Sequence, residues 1–65
     1  MIKFYKVNSI YYAGYSLQAI KTHAYSDNNS SDRLTFTEVN QSSIPADATL
    51  IATDLTYEDA RSLYA

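Results

Sequence analysis

Residues 10–25 read IYYAGYSLQAIKTHAY, and the fold turns on whether this stretch is strand or helix. The strand reading puts a tight turn at Ala13 and Gly14, the chain's one glycine, because glycine adopts positive φ without a Cβ penalty. Strands at 2–12 and 15–25 then make a long hairpin. Tyr11, Tyr12, Tyr15 and Tyr25 suit it, since aromatic side chains favour a pleated surface. The helical reading takes Ser16 as N-cap and places Leu17, Ile20 and Ala24 on one face, with Ala13 extending it backward. Gly14 and the density of tyrosine favour the strand; a helix over 16–25 is the alternative.

Outward from this stretch the pattern is clearer. Residues 2–8, IKFYKVN, are rich in aromatic and β-branched types and read as a strand, with Ile2 and Phe4 on one side and Tyr5 and Val7 on the other. Residues 26–32, SDNNSSD, read as a loop, since these side chains compete with backbone ladders. In 33–40, RLTFTEVN, Leu34 and Phe36 alternate with Thr35, Thr37 and Val39, the signature of a strand. A loop follows at 41–48, where Pro45 removes a donor and holds Ile44 extended. Residues 49–53, TLIAT, form a short strand.

The tail, DLTYEDARSLYA, reads as a helix of about two turns that packing must hold, because so short a helix does not stand alone. Thr56 and Asp59 resemble a capping box. Glu58 and Asp59 fall in the first turn, where the helix dipole favours acids. Ala60, Leu63 and Tyr64 can face a sheet, with Leu55 as a staple.

The expected architecture is therefore α+β: an antiparallel sheet of three to four strands with a short C-terminal helix packed on one face. The alternative is β-α-β-β-α. Residues 1–65 make a single small domain. The expected core is Phe4, Val7, Ile20, Leu34, Phe36, Leu50, Leu55, Ala60 and Leu63.

Composition excludes more than it identifies. A domain of 65 residues buries only about 60% of the surface its unfolded chain exposes. It has no cysteine and one histidine, so neither a disulfide nor a structural zinc site is expected to staple it. A homo-oligomer that completes the core with a second copy is one solution. Apolar runs are too short to span a membrane and no signal-peptide pattern is present, which points to the cytoplasm.

Charge is divided along the chain. Residues 1–26 carry Lys3, Lys6 and Lys21 and no acid, a formal +3. Residues 27–65 carry seven acids against Arg33 and Arg61, a formal −5, giving the net −2. Seven tyrosines overlie this division, too many for so small a core to enclose. Tyrosine pairs a flat apolar ring with a polar tip and has little rotamer entropy to lose, which suits contact surfaces. Tyr5, Tyr11, Tyr12, Tyr15, Glu58 and Asp59 are accordingly the expected partner-binding residues, tyrosines for affinity and acids for steering.

The catalytic inventory is thin. A Ser-His-Asp set can be drawn from Ser16, His23 and Asp27, but nothing in their spacing selects it over chance. Asp27 and Asp32 flank DNNSSD, which lacks the turn glycine and terminal glutamate of a calcium loop. One glycine rules out a Gly-rich phosphate loop. Three lysines in an acidic chain are too thin a phosphate track for nucleic acid. Seven acids are too sparse for a DNA mimic. The expectation is a protein that is not an enzyme, with no catalytic residue, no metal and no cofactor.

Residues 44–64, IPADATLIATDLTYEDARSLY, resemble the strand–turn–helix ending of small acidic phage and prophage accessory proteins. The resemblance covers the last third of the chain and carries no functional residue across. It implies an inhibitor of the anti-defence type, one that occupies a host protein's surface in the host cytoplasm. The alternative is a homo-oligomeric protein that sequesters a small nucleotide-like signal molecule, with tyrosines stacking on it and lysines against its phosphate.

Overall fold

The chain turns at Asn8 and Ser9, not at Gly14. In the computed structural model, which describes residues 1–28 and 33–64, strand β1 (Lys3–Val7) and strand β2 (Ile10–Gly14) form a short antiparallel hairpin with Val7 opposite Ile10. Asn8 takes φ 57°. Positive φ at the first central position suits the twist of a two-residue hairpin, and asparagine is among the few non-glycine residues that tolerate it.

Residues 15–25 are not a strand, which corrects the hairpin expected at Gly14. Helix α1 runs Leu17–Asn28. Ser16 is its N-cap: Ser16 Oγ accepts from the Ala19 amide at 3.2 Å, and the Ser16 carbonyl accepts the Ile20 amide at 3.2 Å. Leu17, Gln18, Ala19, Lys21 and Ala24 are good helix formers. At the far end Asn28 Nδ2 donates to the Ala24 carbonyl at 2.7 Å, satisfying a terminal acceptor.

The sheet has the order β3-β1-β2-β4, with β3 at Thr37–Val39 and β4 at Thr49–Ala52. It is mixed rather than antiparallel: β1 pairs antiparallel with β2 and β3, whereas β2 and β4 are parallel. Because β3 and β4 lie at opposite edges, the connection between them carries the chain across the sheet; it includes a 3-10 turn at Gln41–Ser43. With helix α2 at Tyr57–Leu63 the element order is β-β-α-β-β-α, so the helix of the expected alternative is present but two strands precede it.

Pairing assigns the faces. Tyr5, Val7, Ile10, Tyr12 and Ile51 share one face through the pairs Tyr5–Tyr12, Val7–Ile10 and Tyr12–Ile51. Helix α1 lays Ile20 and Ala24 on it, and Tyr5, Val7, Tyr12, Ile20 and Ala24 form the buried core, with Ile10, Leu17, Leu34, Phe36 and Ile51 packed around them. Burying a side chain such as Ile20 stabilises by roughly 1.5–3 kcal/mol. The other face carries Phe4, Tyr11 and Ala13, all buried, with half-buried Leu50 and Ala52 beside them.

Of the expected core, Phe4, Val7 and Ile20 are buried. Leu34, Phe36, Leu50, Leu55, Ala60 and Leu63 are half-buried. Only Thr37–Val39 of the expected strand 33–40 joins the sheet. Leu34 and Phe36 lie outside it and pack against the core, pinned by the Leu34 amide donating to Tyr25 Oη at 3.1 Å. The loop expected at 26–32 begins later, because α1 continues to Asn28; residues 29–32 lie outside the described residues. Among the described residues no helix is long and apolar enough to cross a membrane.

Helix α2 starts as its sequence indicates. Thr56 is the N-cap, its side chain accepting from the Asp59 amide at 3.3 Å, with Glu58 and Asp59 in the first turn. It does not dock as an amphipathic helix, since none of its residues is buried. Hydrogen bonds hold it instead. Tyr15 Oη donates to Asp59 Oδ2 and accepts from the Thr56 amide at 3.2 Å. Tyr64 Oη donates to the Leu50 carbonyl in edge strand β4 at 2.7 Å.

Candidate functional site

The residues expected to bind a partner are mostly used to build the fold. Tyr12 is fully buried, and Tyr5 and Tyr11 are buried with it. Tyr12 Oη donates to Asp27 Oδ2 at 3.3 Å. Burial, then the charge of Asp27 and the hydrogen bond to it, push the Tyr12 hydroxyl above its ordinary pKa. Tyr15 is half-buried and spends its hydroxyl on Thr56 and Asp59. Only Glu58 of the six is fully on the surface, while Asp59 is half-buried.

The charge division along the sequence does not become two faces. Strand β3 from the acidic part pairs with β1 from the basic part, and β4 pairs with β2. The two parts also meet where β2 passes into α1. The Tyr15 amide donates to Asp54 Oδ1 at 2.8 Å, and the Ser16 hydroxyl donates to Asp54 Oδ2 at 3.4 Å. The Tyr15 amide foremost, with the Thr53 and Ser16 hydroxyls, holds the Asp54 carboxyl below its ordinary pKa despite a smaller opposing effect of desolvation. An acid at the start of α1 also complements the helix dipole.

Of the Ser-His-Asp combination, the structure joins two members and leaves out the third. His23 Nε2 lies 3.3 Å from Asp27 Oδ2, one turn apart on α1. Ser16 sits seven residues before His23, about two turns or ~10 Å along the helix, and its hydroxyl serves Asp54 and the Ala19 amide. His23 and Asp27 open onto a shallow cleft of about 500 Å³ that Thr22, Ser26, Thr53 and Asp54 also line. Among the described residues no group of three or more His, Cys, Asp or Glu side chains is placed to hold a metal ion. The DNNSSD segment falls partly outside the described residues.

The exposed aromatic surface lies elsewhere, on α2. Tyr57 is 78% exposed and Tyr64 is 60% exposed. With Ala60 and Arg61 they line one shallow depression. Positions 57, 60, 61 and 64 recur at i, i+3, i+4 and i+7, so they share a helix face. Tyrosine and arginine are the types that dominate contact energies in protein interfaces. Tyr64 is held in place by its bond to Leu50, so part of this surface is ordered before any partner arrives, which lowers the entropic cost of binding.

Sequence reasoning placed Glu58 and Asp59 correctly at the start of this helix; of the tyrosines it expected on a contact surface, Tyr5, Tyr11 and Tyr12 are buried and Tyr15 is half-buried, and the exposed Tyr57 and Tyr64 were not among them. The available signal was the spacing of Tyr57, Arg61 and Tyr64 on a helix whose apolar residues are too few for an inner face.

No family model, curated protein or solved structure matches the chain.

Proposed function

We propose that this chain is a non-catalytic binding protein, an inhibitor of the phage or mobile-element kind, and that it docks on a host defence protein through the outer face of α2. The observation that carries this reading is the exposure of Tyr57 and Tyr64 on one helix face with Arg61 between them. The interior tyrosines are engaged in the core, whereas these rings meet solvent. Glu58 is exposed beside them. The surface is an aromatic patch with Arg61 within it and Glu58 at its edge, which fits an apolar pocket that sets an acidic side chain against Arg61 and a basic one against Glu58.

The test compares the native chain with Tyr57→Ala and Tyr64→Phe as immobilised baits against a bacterial lysate, followed by purification of the captured protein and measurement of its affinity. The reading requires a partner that loses affinity for Tyr57→Ala by about tenfold or more, with a smaller loss for Tyr64→Phe, which keeps the ring and gives up only its tie to Leu50. Equal binding to all three baits would move the contact surface away from α2. A second copy of the chain on the same face would appear as self-association in sedimentation equilibrium, abolished by Tyr57→Ala, and would replace the host protein as the occupant.

A further inference from the structure

A further concave surface lies between α1 and the segment that leads into β3. Leu17, Lys21 and Tyr25 of α1 face Arg33, Leu34 and Phe36 across a groove of about 490 Å³. Leu17, Leu34 and Phe36 are half-buried and make an apolar floor. Tyr25 and Phe36 stand with ring centroids 6.0 Å apart at 49°, a tilted pair. The Tyr25 hydroxyl accepts the Leu34 amide, which fixes the wall against the floor.

Among the described residues the charged side chains lining this groove are Lys21 and Arg33, both cations. The chain as a whole is acidic, with seven acids against five basic residues. Lys21 Nζ lies 5.9 Å from the Phe36 ring centroid, so its ammonium hangs over an aromatic face at the rim. An apolar, aromatic-walled groove with a cation on either side matches a ligand with a flat body and an anionic end. The ring would pack on Phe36 and Tyr25, and the anion would meet Lys21 and Arg33, of which arginine offers a planar fork suited to phosphate. The volume is in the range of small-molecule sites.

From this juxtaposition we infer that the groove between α1 and residues 33–36 binds a small aromatic anion of the nucleoside monophosphate class. It lies apart from the α2 face, so the inference stands or falls independently of the docking role.

The experiment titrates the isotopically labelled full chain with adenosine monophosphate, adenosine and inorganic phosphate, each into the millimolar range, and follows backbone and methyl resonances. Saturable shifts centred on Leu17, Lys21, Tyr25, Leu34 and Phe36 are expected with adenosine monophosphate, with adenosine and phosphate each weaker by about tenfold. Lys21→Glu and Arg33→Glu, both changes of exposed side chains, are each expected to weaken binding by about tenfold. Phe36→Leu keeps an apolar floor and removes the stacking face, and should also weaken it. The inference is overturned by an absence of saturable shifts, by shifts centred elsewhere, by adenosine binding as well as its monophosphate, or by charge reversal without effect.

Discussion

The Tyr15 amide and the Asp54 carboxylate are joined by a 2.8 Å hydrogen bond across 39 residues of chain, and this bond locks the β2–α1 junction to the segment that follows β4. Around it the Thr53 amide donates to the Ala13 carbonyl at 2.8 Å, and the Thr53 hydroxyl lies within hydrogen-bond distance of both that carbonyl, at 3.0 Å, and Asp54 Oδ1, at 3.1 Å. The start of α1 and the approach to α2 are thus positioned by one polar cluster. Both the core-covering helix and the proposed docking helix depend on it.

Gly14 is what permits that approach. A Cβ at Gly14 would fall on Thr53 Oγ1 and lie 3.0 Å from Ile20 Cγ1. Its φ is not positive, so the need is for space and not for a special backbone conformation. Gly14→Ala is expected to destabilise the fold by about 1–3 kcal/mol, as overpacking does. Chemical denaturation measures it, and an unchanged midpoint would show that Thr53 moves aside freely.

Asp54 makes stability depend on acid. Its folded pKa lies below the ordinary carboxylate value because the charged form accepts the Tyr15 amide. The unfolded chain therefore takes up the proton first as pH falls. The stabilisation is present above the unfolded value of ~3.9 and is lost as pH falls through the folded pKa. Asp54→Asn should be less stable than the native chain near neutrality, and the gap should close below about pH 4. A gap constant with pH would assign the loss to something other than charge.

The two helices should respond unequally to truncation. Ile20 is fully buried, so Ile20→Ala should cost about 2–5 kcal/mol. Leu63 is half-buried on a helix without buried residues, so Leu63→Ala should cost about 1 kcal/mol. The sequence alone had made Leu63 a core anchor. Equal losses would mean that α2 docks more deeply than its burial indicates.

Tyr15→Phe removes the hydroxyl that ties α2 to the junction. The expected loss is about 0.5–1.5 kcal/mol, accompanied by faster amide exchange confined to α2. Protection falling evenly across the sheet would instead make Tyr15 a core residue in energetic terms.

Binding kinetics separate rings from charges. With a captured partner, Tyr57→Ala should mainly speed dissociation, and Glu58→Lys should mainly slow association with strong salt dependence. If both rates are unaltered in both variants, α2 faces away from the partner.

Some of this was legible from residues alone. The β1 strand, the short β4 strand and the Thr56-capped helix were each read from local chemistry: β-branched and aromatic runs for the strands, a capping oxygen followed by first-turn acids for the helix. Ser16 and the Leu17–Ile20–Ala24 spacing held the signal for α1, but the neighbouring tyrosines outweighed it. The strand reading divides 10–25 at Gly14 into two strands, whereas the preference changes from strand to helix at Ser16. The hairpin turns at Asn8 and Ser9 because asparagine accepts positive φ, while Gly14 is needed for close packing.

What the sequence by itself determined was local: an α+β chain without a cysteine staple, the β1 and β4 strands, and the Thr56-capped C-terminal helix. Alternation put Leu34 and Phe36 on one side of a strand; it did not show that they lie outside the ladder and pack against the core. Tertiary structure decided the mixed sheet, because whether β4 lies parallel to β2 depends on where residues 40–48 carry the chain. It also decided which tyrosines meet solvent. Tyr12 and Tyr57 are the same residue type with the same intrinsic preference, and only long-range pairing buries one beneath α1 and leaves the other exposed on α2.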